Sequence, residues 1–215
     1  MKHLLKDRKS AGQALAGQLK HLGGRDDVLV LALPRGGVPV ALAIAAALGA
    51  PLDLMLVRKL GVPGQEELAM GAIASGGIRV VNREIVTALG IREDQIDREA
   101  ELEYRELERR QWAYRGDRPL PEIKGRTVIL VDDGIATGAT MKAAIKALRQ
   151  QHPAWIITAV PVAPADTVAQ LRKYADEVVC PHTPEPFMAI GRWYGEFSQL
   201  TDEEVRGALQ QAWSH

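Results

Sequence analysis

Two rhythms of apolar and polar positions run along this chain. One is a series of short, nearly unbroken apolar runs, at 28–33, 52–58, 127–131, 155–160 and 177–180, each the pattern of a buried strand. The other spaces apolar residues three or four apart. Ala11, Leu15, Leu19 and Leu22 follow it and stop at Gly23-Gly24. A small-residue helix over 38–48 carries Pro39 in a first turn that tolerates proline and stops at Gly49. Within the charge-dense stretch 92–112, Ile96, Ala100, Tyr104 and Leu107 share one stripe, which predicts a long helix with one buried face and a solvated charged surface. Further helices are expected from 140 to about 149 and near 166–174. Thr201-Asp202-Glu203-Glu204 reads as a capping box, and Val205, Leu209 and Trp213 continue one helical face behind it.

Residues 69–74 and 78–82 flank Ser75-Gly76-Gly77, the pattern of a hairpin, while the polar stretch 61–67 reads as a loop. Strands alternating with helices predict an α/β fold, an open and mostly parallel sheet flanked by helices, with right-handed crossovers. The expected organisation is one domain over 1–215, with a loop, hairpin and long helix inserted at 60–118 and a small hood and C-terminal helix at 180–215.

Composition narrows the function classes. The chain has 215 residues and 47% hydrophobic residues, enough for a sizeable core. Lys plus Arg and Asp plus Glu both number 27, so the basic excess of a general nucleic-acid binder is missing and a nucleic-acid partner is disfavoured. Cys180 is the single cysteine, too little for an internal disulfide or a cysteine metal site, and it reads as a small buried residue near a strand end. The first eight residues become charged too soon for a secretory signal, and the longest apolar stretch, 38–50, is too short to span a bilayer. A cytoplasmic protein without a membrane partner is expected.

In an open parallel sheet, ligands bind beyond the carboxyl ends of the strands. Two loops lie there, one after Leu33 and one after Val131. Asp132 and Asp133 leave the second strand together, as acceptors for neighbouring hydroxyls. Five residues after Asp132, Thr137-Gly138-Ala139-Thr140 opens a helix whose first amides, small residues and hydroxyls form a cradle for an anion. Diol acceptors beside a phosphate cradle describe a site for ribose 5-phosphate. The spacing is neither that of a Walker loop nor that of a dinucleotide fingerprint. Pro34-Arg35-Gly36-Gly37 after the first strand is either a plain turn or an anion loop, with Gly36 and Gly37 admitting close backbone approach and Arg35 pairing with phosphate. Arg58 and Lys59 are either surface residues or phosphate ligands.

The run Val128-Ile129-Leu130-Val131-Asp132-Asp133-Gly134-Ile135-Ala136-Thr137-Gly138-Ala139-Thr140 resembles the phosphoribosyl pyrophosphate signature of the type I phosphoribosyltransferases, complete across its thirteen positions. Pro34-Arg35-Gly36-Gly37 resembles that family's pyrophosphate loop more loosely. The family often has a cis peptide there, which in this chain would join Pro34 and Arg35. A flexible catalytic loop usually follows the second strand, and 61–67 is the candidate.

The resemblance implies transfer of 5-phosphoribosyl from phosphoribosyl pyrophosphate to a nitrogenous base, with Mg²⁺ bridging ligand oxygens. Asp132 and Asp133 would hold the ribose hydroxyls, with direct contact to the metal left open. Ala136 and Thr137 to Thr140 would line the 5-phosphate site. Arg35, Gly36 and Gly37 would face pyrophosphate, with Arg58 or Lys59 assisting. Enzymes for 6-oxopurines often carry an acid at the position of Ala136 and a lysine after the next strand. Here that stretch is Pro161-Val162-Ala163-Pro164, so both departures disfavour a 6-oxopurine. Pro186-Phe187-Met188 and Trp193-Tyr194-Gly195-Glu196-Phe197 in the hood are either core packing or a stacking ring for the base. The competing function is a non-catalytic sensor of nucleotide or phosphoribosyl pyrophosphate that regulates a partner or RNA. The acceptor and any homo-oligomeric state stay open.

Overall fold

A computed structural model describes residues 4–214, apart from the side chain of Glu67; the reading of Met1, Lys2 and His3 lies outside them. Five parallel strands form the main sheet: β1 (Val28–Ala32), β2 (Leu52–Leu54), β6 (Thr127–Val131), β7 (Trp155–Ala159) and β8 (Glu177–Val179), in spatial order β2-β1-β6-β7-β8. Successive residues of β1 and β6 face opposite sides of the sheet and divide the core in two. Val28, Val30, Ala32, Ile129 and Val131 pack with helices α1 (Arg8–Gln18), α2 (Gly37–Leu48), α4 (Glu93–Arg115) and α7 (Asp202–Trp213). Leu29, Leu31, Val128 and Leu130 pack with α5 (Ala139–Arg149) and α6 (Ala165–Leu171) on the other face. Each fully buried Val, Leu or Ile among them contributes roughly 1.5–3 kcal/mol, so both faces must be covered.

A separate antiparallel sheet of β3 (Val57–Val62), β4 (Gln65–Ala74) and β5 (Ile78–Val81) accounts for the hairpin around Ser75. Two local readings need correction. The apolar run 52–58 is not one strand: β2 ends at Leu54, and β3 belongs to the second sheet. Both halves are apolar because both are covered, so hydropathy alone hides the change of sheet. Nor is 61–67 an open loop. Val62 pairs with Gln65 across a turn at Pro63-Gly64, with Gly64 at φ +79°. Its polar residues are the exposed end of a ribbon, and Gly61 sits at a register shift where a Cβ would meet the Glu66 backbone at 3.0 Å. A short helix, α3 (Arg83–Ala88), was not anticipated; the Asn82 carboxamide caps it by accepting the Ile85 N–H at 3.4 Å.

The long helix α4 lays Ile96, Ala100 and Leu107 into the core as its stripe requires. α7 begins with the expected capping box at Thr201 and Glu204. Among the described residues, no helix is long and apolar enough to cross a membrane.

Candidate active site

Pairing of β1 with β6 sets Ala32 beside Val131, and the Leu33 N–H donates to the Val131 carbonyl at 2.9 Å. The loops after these two strands therefore leave the sheet side by side, although about a hundred residues separate them in the chain. The peptide joining Pro34 and Arg35 is cis, where the resemblance puts it. Gly36 and Gly37 are the points of contact. A Cβ on Gly37 would fall 2.6 Å from the Val131 carbonyl oxygen and 3.0 Å from Asp132 Cα. One on Gly36 would fall 2.0 Å from Asp133 Oδ2. The glycines thus do admit a close anionic neighbour, but the neighbour present is the Asp133 carboxylate.

Asp133 is buried and engaged. Its Oδ2 accepts the Arg8 Nε–H at 2.8 Å, with both side chains 11% exposed. Its backbone carbonyl accepts the Tyr194 hydroxyl at 2.6 Å. Asp132 is half-buried, and its Oδ1 accepts the Asp133 N–H at 2.8 Å. Withdrawal from water pushes the Asp132 carboxyl well above the usual carboxylate range, and the neighbouring Asp133 charge adds to the rise. Burial also raises Asp133, against the opposing pull of the Arg8 guanidinium.

The expected phosphate cradle is open. Gly138, at φ +76°, has no side chain with which to cap α5, and the Ala139 N–H of the first turn reaches only the Thr137 hydroxyl, at a long 3.5 Å. Ala136, Thr137, Ala139 and Thr140 are exposed around it. The turn is pinned from α6, where the Thr167 hydroxyl donates to the Ala136 carbonyl at 2.9 Å.

The expected pyrophosphate cations are tethered. Arg35 lies 3.8 Å from Asp202 on α7, and Asp202 accepts the Tyr114 hydroxyl at 2.8 Å. Arg58 Nε is 2.5 Å from Glu103 of α4. Lys59 follows on β3 and is exposed. Arg58, Pro34 and Thr140 nevertheless border one cleft, which Leu107 and Arg110 of α4 also line. The charged face of α4 thus delivers Arg110, which a solvated-surface reading passes over. Arg8 was also missed, for it carries no local signal: only folding brings it to Asp133. Tyr194 proves to be a buried support, packed 4.9 Å from Phe197, whereas Met188 is among the exposed hydrophobics.

Among the described residues, no three His, Cys, Asp or Glu side chains group to hold a metal ion. Since Asp133 is taken by Arg8, Asp132 is the acid of the pair that carries no arginine. Such a donor set fits Mg²⁺ carried mainly by oxygens of a phosphorylated ligand.

A family model described as "Phosphoribosyl transferase domain" matches residues 4–190. A protein from two strains of Mycobacterium tuberculosis, provisionally named a phosphoribosyl transferase, is 46% identical over 209 residues, covering 97% of this chain and 47% of its own. The chain therefore spans about half the length of those relatives. A crystal structure of a protein from Thermus thermophilus is 42% identical, with a TM-score of 0.88 over 96% of this chain and 98% of the other. A protein from Aquifex aeolicus, 12% identical with a TM-score of 0.51 over 82% of this chain and 74% of its own, shares the fold.

Proposed function

From the premise that this chain belongs to the phosphoribosyl transferase domain family, we propose that it moves a 5-phosphoribosyl group from phosphoribosyl pyrophosphate to a nitrogenous base. The bond from ribose C1 to pyrophosphate breaks, the bond from C1 to the base nitrogen forms, and pyrophosphate leaves with its electron pair. The observation that carries this reading is the apposition of two loops: the Pro34–Gly37 turn lies against the Asp132-Asp133 pair. A leaving-group site and a ribose site thereby share one edge of the sheet.

In this reading the signature acids form the edge to which ribose hydroxyls donate, and the amides and hydroxyls from Thr137 to Thr140 receive the 5-phosphate. Gly37 keeps the first loop close to that edge. Arg35, Arg58 and Lys59 face the pyrophosphate, the two arginines exchanging their present carboxylate partners for phosphate oxygens. Mg²⁺, when bound through the ligand and Asp132, supplies charge neutralisation for the leaving pyrophosphate. The exposed methyl of Ala136 provides no acid for a 6-oxopurine. The acceptor would then be another base, with the hood beside it.

A turnover panel of purine, pyrimidine and pyridine bases, read as pyrophosphate release in the presence of Mg²⁺, tests the reading. Turnover with one class is expected, and Asp132→Asn combined with Asp133→Asn should lower it about tenfold or more, the scale of at least one charged hydrogen bond. Tight binding of phosphoribosyl pyrophosphate without turnover on any base would favour the sensor reading instead.

A further inference from the structure

Three separate parts of the chain meet at Asp133. Arg8, the first residue of α1, is held there by the Asp7 cap, whose carboxylate accepts the Ser10 N–H at 2.7 Å. From that position the one guanidinium makes three contacts. Its Nε–H reaches Asp133 Oδ2 at 2.8 Å, a second N–H donates to the Ser198 carbonyl at 2.8 Å, and its Cζ lies over the Phe197 ring, 4.0 Å from the centroid. The chain just before α1 pairs with the hood: the Leu5 N–H donates to the Trp193 carbonyl, and the Gly195 and Glu196 N–H groups donate to the Leu5 and Lys6 carbonyls, all at 2.8–2.9 Å. Tyr194 completes the junction at the Asp133 carbonyl.

We propose that Arg8 is a positioning residue of the donor site: it holds the Asp133 carboxylate against Gly36, balances its charge and fastens the hood to the signature, leaving Asp132 to meet the ribose hydroxyls. This rests on the donor-site reading above and divides the labour of its acidic pair. The division follows from space and charge. Gly36 and Arg8 crowd the Asp133 carboxylate, while Asp132 has no arginine to displace and bonds the Asp133 N–H through one oxygen. A donor bearing several negative charges would meet an uncompensated carboxylate if Arg8 were lost. The guanidinium geometry serves both halves of the role. A lysine would keep the charge but lose the fork and the flat stacking face.

The test is calorimetric titration of the intact protein with Mg²⁺-phosphoribosyl pyrophosphate and, separately, with ribose 5-phosphate. Arg8→Gln should weaken both by about tenfold, the scale of one charged contact. Adding Asp133→Asn to it should recover affinity to within about threefold of wild type, because the unbalanced charge goes with it. Asp132→Asn should cost about tenfold alone and gain nothing from Arg8→Gln. Arg8→Lys should keep most of the affinity. Hydrogen exchange supplies a second readout: both Arg8 variants should speed exchange at the Leu5, Gly195 and Glu196 amides while β6 stays protected. Should Arg8→Gln lose β6 protection, Arg8→Lys carries the comparison through its loosened hood and retained affinity. If Asp133→Asn is as damaging as Asp132→Asn and the double variant shows no recovery, Asp133 is itself the ribose ligand and the proposal is overturned. A wild-type protein that binds neither probe would instead overturn the donor-site reading, and this proposal with it.

Discussion

Gly36 stands where no larger residue fits beside Asp133: the first carbon of a side chain there would lie 2.0 Å from one carboxylate oxygen and 2.9 Å from the other. Gly36→Ala must therefore displace the carboxylate and break its pairing with Arg8. Affinity for phosphoribosyl pyrophosphate should fall by about tenfold or more, with a small change in melting temperature, since a short side chain can give way. Gly37→Ala meets backbone at 2.6 Å instead, and backbone cannot swing aside. It should destabilise the fold by about 1–3 kcal/mol. Thermal melts and ligand titrations of the two variants, side by side, separate these effects. A Gly37→Ala protein as stable as wild type would contradict the packing.

Asp53 on β2 and Arg115 at the end of α4 form a buried ion pair. Removing one partner leaves a buried charge alone, so Asp53→Asn and Arg115→Met should each cost about 3–5 kcal/mol in denaturant unfolding. Replacing both by Leu and Met should recover most of that loss. Equal destabilisation in the double variant would mean that the pair is more than mutual compensation.

Cys180 follows β8, and its thiol is pushed up to about 11, chiefly by burial. A thiol is nucleophilic only as thiolate. Labelling with a disulfide reagent at pH 8 should thus be about tenfold or more slower in the folded protein than in denaturant. Comparable rates in both would place the thiol in open solvent.

Asp27 titrates low, at about 2, held first by its Arg25 hydrogen bond and then by the Thr127 hydroxyl. Its folded value lies below the ordinary carboxylate value of 3.8, so its contribution is present above that value and fades as pH falls towards 2. Carboxyl chemical shifts should show a midpoint near 2 that rises in Arg25→Ala. An unchanged midpoint in that variant would assign the effect elsewhere.

What was legible in the sequence is what lies within a short reach of chain. The apolar run 127–131, the two acids and the Thr-Gly-Ala-Thr turn are contiguous, so the strand, its loop and the start of α5 could be read directly. The stripe through Ile96 and Leu107 likewise carries its own period. Illegible were the events that depend on which segments meet. The switch from β2 to β3 happens inside an apolar run, and the 61–67 hairpin presents polar residues because it projects from the core. Arg8 with Asp133, Arg35 with Asp202 and Arg58 with Glu103 span 125, 167 and 45 positions, by subtraction of their numbers, and no local pattern specifies such pairs.

The short strand β2 ends the main sheet on one side, where unpaired backbone groups would ordinarily invite another chain to extend it. Two of its outward groups are already occupied. The Leu52 carbonyl accepts the indole N–H of Trp213 at 2.8 Å, and the Leu54 N–H donates to the Asp53 carboxylate at 2.6 Å. Helix α7, whose first turn meets Arg35, thus also shields the sheet against edge-to-edge self-association. A chain cut before Trp213 would regain a sticky margin, and aggregation rather than lost ligand affinity would be its first symptom.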